Sequence, residues 1–353
     1  MYELLLTVCL MSDPSDCTER RLPFQERMGA MGCMRAGQSH ARRWLETHPT
    51  LVLESWRCVT ERRSAEAGDG FALEEIAPGV FVHVGAVALP SAANAGDIAN
   101  AGFVVGEEAV AAIDAGGSRA VGERLLGAIR AVTEKPVRWL VLTHMHPDHV
   151  LGAEVFREAG ATVIGHANLA RALRNRAETY ETSYARLLGP RAFAGTEAIL
   201  PDEGVEAVRE LDLGGRVLEL IPHPTAHTDN DLTVYDRETG TWWVGDLVFE
   251  DHAPALDGSL TGWISVLEEM QGRGAERIVP GHGPASLPWP GGAADTLAYL
   301  RGLAEAVRAA IDRGETMGEA IQSAGADLGE GWRLFEEYHP RNVSAAFQEL
   351  EWE

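Results

Sequence analysis

Lysine is almost absent from this sequence of 353 residues, which contains Lys135 alone and otherwise takes its positive charge from arginine. A Schiff base or a lysine that holds phosphate would have to use that one residue. Positive charge is scarce altogether, because 30 Lys and Arg face 53 Asp and Glu, and the formal net charge is -23. Such a surface repels phosphate backbones and anionic lipids, so we expect no nucleic-acid partner and no membrane binding.

Long hydrophobic runs are also missing, and no segment is apolar over the length that a bilayer requires. The start of the chain carries Glu3 where a signal peptide needs a base, and Asp13 soon interrupts its short apolar run. The sequence therefore predicts a cytoplasmic protein, unless an upstream export signal has been removed.

Cysteine is absent beyond Cys58, and all four cysteines lie in the N-terminal stretch (Cys9, Cys17, Cys33 and Cys58). An even number in so short a segment suggests two disulfides that stabilise a small domain. A zinc site is the rival interpretation, although no Cys-x-x-Cys pair occurs. Four reduced thiols would suit a cytosolic protein, so the three interpretations stay open.

The length suits two domains. Residues 1–62 predict a small α+β domain, with strands at 4–8 and 51–59 and a helix at 35–47. A polar stretch predicts a linker over 63–71, and the second domain covers 72–353. This second domain alternates strands and helices, which is typical of an α/β fold with mixed sheets. Its strands are predicted at 80–84, 102–105, 109–113, 137–142, 162–164, 217–221, 231–235, 241–244 and 277–279.

The chemistry concentrates in residues 143–149, which directly follow an apolar strand. His144, His146, Asp148 and His149 fall within six residues, and imidazole and carboxylate are zinc ligands. His144 and His146 project to the same side of an extended segment, because they are two residues apart. One zinc ion cannot comfortably take all four ligands from so short a loop, but two adjacent ions can.

Three further candidates lie where predicted strands run out into loops. They are His227, Asp246 in Val-Gly-Asp, and His282 in Gly-His-Gly. Strand ends are where active sites on sheets are assembled.

These motifs, in this order, resemble the metallo-β-lactamase superfamily over roughly residues 72–351. The resemblance implies an αβ/βα sandwich with a small α+β domain before it, and a site for two Zn²⁺ ions. By this similarity the first zinc is bound by His144, His146 and His227, the second by Asp148, His149 and His282, and Asp246 bridges the two. Asp114 resembles the superfamily's acid that orients a ligand histidine; the alternative is an acid that caps the turn before Gly116.

Three segments resemble one branch of the superfamily more closely, namely residues 225–233, 254–260 and 341–343. Together with the cysteine-bearing N-terminal block they are similar to the quinoprotein relay system zinc metallohydrolases. This resemblance implies a quinoprotein dehydrogenase partner and, as an alternative to the cytoplasm, a periplasmic location. The oligomeric state is not readable from the sequence.

The predicted function is hydrolysis of a small-molecule ester, lactone, thioester or β-lactam by a metal-bound hydroxide that attacks the carbonyl carbon. Asp148 is the predicted catalytic residue, because it can hydrogen-bond the nucleophile and shuttle its proton. Two alternatives remain. One is an accessory metalloprotein whose N-terminal domain docks a dehydrogenase. The other is an iron-dependent oxidoreductase similar to sulfur dioxygenases.

Four residues are candidate substrate contacts. Tyr180 and Tyr184 are four residues apart on a predicted helix, so they share a face and could cover the metals; packing against the body is the alternative. His223 and His252 lie near the ligand loops in sequence, and a structural or solvent-exposed role is the alternative for each.

Overall fold

A computed structural model describes residues 1–61 and 71–352. Most of the predicted linker, residues 63–70, lies outside the described residues. Phe71, at its end, is buried in the second domain, where its ring stacks on His83 with centroids 3.6 Å apart.

The N-terminal domain is a three-stranded antiparallel sheet with one helix. Its elements are β1 (Tyr2–Leu10), β2 (Asp13–Leu22), α1 (Ala30–Thr47) and β3 (Leu51–Thr60), and β1 is the central strand. The strand β2 is not predicted from its sequence because it has no apolar alternation. It is an edge strand that pairs with the apolar β1 along its length.

The four cysteines form two disulfides, which is the first of the three interpretations that the sequence left open. Cys9 and Cys17 face each other across β1 and β2, and Cys33 on α1 is bonded to Cys58 on β3. The zinc and free-thiol interpretations of the cysteines are therefore wrong. Both bonds lie within the N-terminal domain.

The second domain contains two mixed sheets among the described residues. The first has the spatial order β10-β9-β8-β7-β6-β5-β4, and the second β11-β12-β13-β14-β15-β16. The strands of the first are β4 (Glu74–Ala77), β5 (Val80–His83), β6 (Ala101–Val105), β7 (Val110–Ile113), β8 (Val137–Val141), β9 (Thr162–His166) and β10 (Glu203–Val205). Those of the second are β11 (Arg209–Asp212), β12 (Val217–Pro222), β13 (Leu232–Asp236), β14 (Thr241–Phe249), β15 (Arg277–His282) and β16 (Leu287–Pro288).

The longer helices of the second domain cover the outer faces of the two sheets, and short helices lie in its loops. They are α2 (Arg119–Val132), α3 (Pro147–Val150), α4 (Ala153–Glu158), α5 (Leu169–Leu188), α6 (Pro190–Phe193), α7 (Leu260–Met270), α8 (Ala294–Asp312), α9 (Met317–Ser323) and α10 (Phe335–Leu350). Helix α5 includes both Tyr180 and Tyr184, which the sequence places on a helix.

Strand β7 shows how the layers are built. Val110 and Ala112 pack on the helices of the first sheet, whereas Ala111 and Ile113 pack against the second sheet. Because successive side chains point to opposite faces, a strand covered on both sides is apolar throughout. A further core joins the second sheet to α7, α8 and α10. The four layers form the αβ/βα sandwich that the resemblance implies.

The N-terminal domain packs on the second domain around Arg119, the first residue of α2. Its guanidinium is 1% exposed and forms ion pairs with Glu123, Glu154 and Glu158. It also donates a hydrogen bond of 2.7 Å to the carbonyl of Arg21 in β2. In the part of the chain that the structure describes, no helix is both long and apolar enough to cross a bilayer.

Candidate metal centre

The ligand loop follows β8 at the edge where the two sheets meet. His144 and His146 lie in the extended part of the loop, and Pro147 begins the short helix α3. Proline suits the first position of a helix, because its fixed φ is helical. The turn brings the His149 N–H within 3.0 Å of the His146 carbonyl. It places Asp148 and His149 in a second group of side chains beside that of the two histidines before them.

The first group of side chains that could hold a metal ion consists of His144, His146, His227 and Asp246. His146 Nδ1 lies 3.1 Å from His144 Nε2 and 3.0 Å from His227 Nε2. Asp246 Oδ2 lies 3.6 Å from His144 Nε2 and 3.5 Å from His227 Nε2. Three imidazoles and a carboxylate thus converge on one point.

The second group consists of Asp148, His149 and His282. Asp148 Oδ2 lies 3.3 Å from His282 Nε2 and 3.9 Å from His149 Nε2. Asp246 faces this group as well, because its Oδ1 is 3.2 Å from His149 Nε2 and its Oδ2 is 3.5 Å from His282 Nε2. The carboxylate of Asp246 therefore lies between the two groups.

The backbone around Asp246 allows this position. Gly245 has a φ of +52° at an irregularity in the pairing of β14 with β15, and this conformation favours glycine. A Cβ atom added to Gly281 would lie 1.8 Å from Asp246 Oδ1. Two glycines thus make room for the carboxylate between the strands.

The donor set fits two metal ions. His149 Nε2 and Asp246 Oδ1 are buried and lie 3.2 Å apart without the geometry of a hydrogen bond, and neither has another hydrogen-bond partner among the described residues. The other nitrogens of two ligand rings are held from behind, since His149 Nδ1 donates to Asp114 Oδ2 at 2.8 Å and His282 Nδ1 to the Ile98 carbonyl at 2.9 Å. Such contacts fix the tautomer that leaves Nε2 free to bind metal.

Asp114 occupies the orienting position that the resemblance implies. Its Oδ1 accepts from the Thr143 N–H at 2.8 Å, and its Oδ2 accepts from the Thr143 hydroxyl at 2.9 Å. Its φ is +56°, an unfavourable value for a residue with a side chain. The strained backbone is held in place by these contacts to the ligand loop.

Burial and charge set the protonation of the ligands. Burial lowers the pKa of His227 to about 3, and it also lowers the pKa of His144, so both rings are neutral as metal ligands must be. Burial alone would lower the pKa of His282 too, but the carboxylates of Asp246 and Asp148 outweigh it and raise that pKa to about 9. A metal ion that binds His282 must therefore displace a proton.

A cavity of about 650 Å³ opens onto the centre and is lined by both Asp148 and Asp246. Tyr184 and His252 lie in its wall. Tyr180 is not among the lining residues and interacts with Arg176. His223 also lies outside the lining, where its Nε2 is 2.9 Å from the Thr233 hydroxyl.

The sequence does not identify several residues of this site as functional. Asp257, Tyr338 and Arg341 line the cavity, and Thr143 holds Asp114. Asp257 and Arg341 lie in the segments that resemble the quinoprotein relay branch, but no local spacing connects them with the ligands. These residues meet at the centre only because the fold brings segments that are distant in sequence to the same cavity.

An αβ/βα sandwich with two His and Asp groups at one edge has the architecture of a metal-dependent hydrolase. Residues 95–282 match the metallo-beta-lactamase superfamily. This match covers more than half of the chain and includes both groups. The chain therefore belongs to the metallo-β-lactamase superfamily, whose members are metal-dependent hydrolases.

Solved structures share the fold at low sequence identity. A metallo-β-lactamase from Pontibacter korlensis is 23% identical, with a TM-score of 0.54 over 65% of this chain and 98% of that one. A metallo-β-lactamase from Hirschia baltica is 15% identical, with a TM-score of 0.51 over 65% of this chain and 96% of that one. The inverting sec-alkylsulfatase Pisa1 from Pseudomonas sp. is 15% identical, with a TM-score of 0.60 over 79% of this chain and 50% of that one. No curated protein matches the chain.

Proposed function

We propose that this protein is a dinuclear zinc hydrolase that cleaves a small-molecule ester, lactone, thioester or β-lactam. The observation that carries the proposal is the position of Asp246 between two groups of ligands, with Oδ2 3.5 Å from both His227 Nε2 and His282 Nε2. A carboxylate in this position can bridge two cations. Two bound zinc ions would lower the pKa of a water molecule to near neutrality and polarise a carbonyl group.

Asp148 is suited to move the proton. Its side chain is 12% exposed and lines the cavity, while its Oδ2 lies 3.3 Å from His282 Nε2. A carboxylate that contacts both the ligand group and the substrate space can accept a proton from the attacking water and deliver it to the leaving atom.

The cavity supports a small substrate. Its volume of about 650 Å³ lies within the range of pockets for small molecules. Leu89, Ile98 and Phe249 supply apolar surface, and Tyr184 and His252 supply polar atoms. Most of the other lining residues are polar or charged, among them Arg186, Glu337 and Arg341, so we expect a substrate that carries polar groups besides the bond that is cleaved.

A second candidate function, the iron-dependent oxidoreductase, is less well supported. The sulfur dioxygenases use one iron, whereas the described side chains offer two groups. The experiment below distinguishes the two functions by the metal that the protein retains and by oxygen uptake.

The test combines metal quantification with a turnover screen of esters, lactones, thioesters and β-lactams, with a sulfate ester as an added probe. We expect two zinc ions per chain, loss of turnover on chelation and recovery with zinc. Asp246→Ala and His146→Ala should each lower kcat by ~100-fold or more, because they remove a ligand. His40→Ala, in the N-terminal domain, is the control. A single bound iron with oxygen uptake would contradict the proposal.

We further propose that the protein resides in an oxidising compartment, which the two disulfides support. Membership of the quinoprotein relay group and a quinoprotein dehydrogenase partner stay proposals that rest on the sequence resemblance. Alkylation of thiols in the native host before reduction tests the compartment. We expect all four cysteines to be protected from alkylation by their disulfides. Alkylation of all four would contradict the oxidising compartment.

A further inference from the structure

Behind the first group of ligands lies a pair of charged side chains that the proposed chemistry does not use. Asp257, in the loop between β14 and α7, has its Oδ2 3.1 Å from His146 Nε2. Arg176 on α5 contacts both oxygens of the same carboxylate, with Nη1 2.6 Å from Oδ2 and Nη2 3.1 Å from Oδ1. His146, Asp257 and Arg176 thus form a continuous chain from the metal centre to α5.

The two nitrogens of His146 have separate tasks in this arrangement. Its Nδ1 faces the ligand atoms of His144 and His227, at 3.1 and 3.0 Å. Its Nε2 is therefore the nitrogen that carries the proton and donates to Asp257. A carboxylate on the far side of a ligand imidazole fixes its tautomer and orientation, and makes it a stronger ligand.

Asp257 is itself held firmly. Its backbone N–H donates to the carbonyl of His227 at 3.1 Å, so the loop is joined to a second ligand of the same group. The two parallel contacts from Arg176 fix the plane of the carboxylate, which a lysine ammonium could not do. Among the ligand histidines, His146 is also the one that is only partly buried, and the need for an external support is greatest there.

We propose that Asp257, itself held by Arg176, is a positioning residue that orients His146 and strengthens metal binding at the first group but not at the second. The inference rests on the proposed function, because it requires that His146 binds metal. It gives α5 a role at the centre, since the helix that carries Tyr184 into the cavity wall also fixes a ligand through Arg176.

The experiment is a titration of metal-free protein with zinc against a chromogenic chelator, which resolves the two binding events. In Asp257→Ala and Asp257→Asn we expect one event to weaken by ~10- to 100-fold while the other keeps its wild-type affinity. Asp257→Glu should restore part of the loss. With cobalt in place of zinc, the visible spectrum of the first site alone should change.

Arg176 provides a graded second test with a matched control. Arg176→Met should weaken the same event less than Asp257→Ala does, and Arg176→Lys should fall between Arg176→Met and wild type. Arg171→Met removes a comparable ion pair from the same helix, because Arg171 Nη2 lies 2.6 Å from Asp229 Oδ2. It should leave both events unchanged.

Two results would overturn the inference. In one, both events keep wild-type affinity in Asp257→Ala; in the other, both weaken equally, as a general loss of structure would cause. Failure of the proposed function is a different outcome, because wild-type protein would then not bind two metal ions.

Discussion

One nitrogen of His252 has no hydrogen-bond partner in the part of the chain that the structure describes, and it predicts a contact with substrate at this centre. His252 is 2% exposed, and its Nδ1 donates to the carbonyl of Ala253 at 2.7 Å. Its Nε2 is then a hydrogen-bond acceptor, and it has no partner among the described residues. The nitrogen is itself buried, but the ring lines the cavity and packs on His282 with centroids 4.6 Å apart. We therefore expect it to accept a hydrogen bond from a substrate that packs against this part of the wall.

His252→Phe tests this role. The phenyl ring keeps the packing on His282 and on Tyr338, whose centroid is 4.8 Å away, but it has no acceptor. We expect kcat/KM to fall about 3- to 10-fold, the value of one hydrogen bond, with both metal ions retained. Steady-state kinetics and metal quantification measure the two effects. His166→Phe, outside the cavity, is the control, and unchanged kinetics in His252→Phe would exclude the contact.

At the scale of elements, the N-terminal domain depends on its covalent links. Its core consists of few side chains, around Leu4, Leu6 and Trp44, and a domain of this size buries little apolar surface. The bond between Cys33 and Cys58 closes a segment with a sequence separation of 25, and that between Cys9 and Cys17 one of 8. Closing the longer loop removes more entropy from the unfolded chain.

We therefore predict that replacing Cys33 and Cys58 by Ala together lowers the free energy of unfolding of the N-terminal domain by about 3–4 kcal/mol. Replacing Cys9 and Cys17 should cost about 2–3 kcal/mol. Urea unfolding followed by hydrogen exchange of the backbone amides of β1 and β3 measures both. Turnover under native conditions should not change, since neither bond lies near the metal centre. An equal loss in the two variants would argue against the loop-length explanation.

At the scale of the whole molecule, the two domains share a buried network of charges. Arg119 contacts Glu154, and the same carboxylate lies 3.3 Å from His48 Nε2 of the N-terminal domain. His48, Glu154 and Glu197 are close enough to hold a metal ion. However, the guanidinium of Arg119 lies 3.2 Å from Glu154, and a second cation there would be repelled. The network is better explained as the contact that holds the domains together.

This network predicts a pH dependence of stability. Burial disfavours the charged ring of His48, but Glu154 outweighs burial and raises the pKa above the usual 6.5, against a smaller opposing effect of Arg119. A raised pKa in the folded state stabilises the fold below about pH 6.5, and this contribution is lost as the pH rises through the raised value. The difference in unfolding free energy between wild type and His48→Gln should therefore shrink from pH 6 to pH 9.

His40→Gln is the matched control for that measurement. Burial lowers the pKa of His40, so its ring destabilises the fold as the pH falls below 6.5, and the sign of the trend is opposite. Chemical unfolding of the three proteins from pH 5 to pH 9 measures both trends. A difference for His48→Gln that is constant with pH would show that the ring contributes no charge to the interface.

The sequence by itself determined the central strands, the fold class and the residues that converge at the metal centre. Strands such as β7 and β8 are buried on both faces, so their apolar runs are visible in the sequence. The strands that it did not predict are β2, β4, β10, β11 and β16, and each lies at the edge of a sheet. Edge strands are defined by pairing with a neighbour more than by their own residues, which is why their sequences give little signal.

Only the tertiary structure decided which side chains support the ligands. His144, His146, Asp148 and His149 share one loop, so their spacing reveals them. Asp257 is 111 residues away from the histidine that it contacts, and the burial of Arg119 depends on the docking of another domain. Charged residues are usually exposed, so nothing in the sequence separates these from the rest of the acidic surface. Their roles follow from the layers that bring distant loops to one edge.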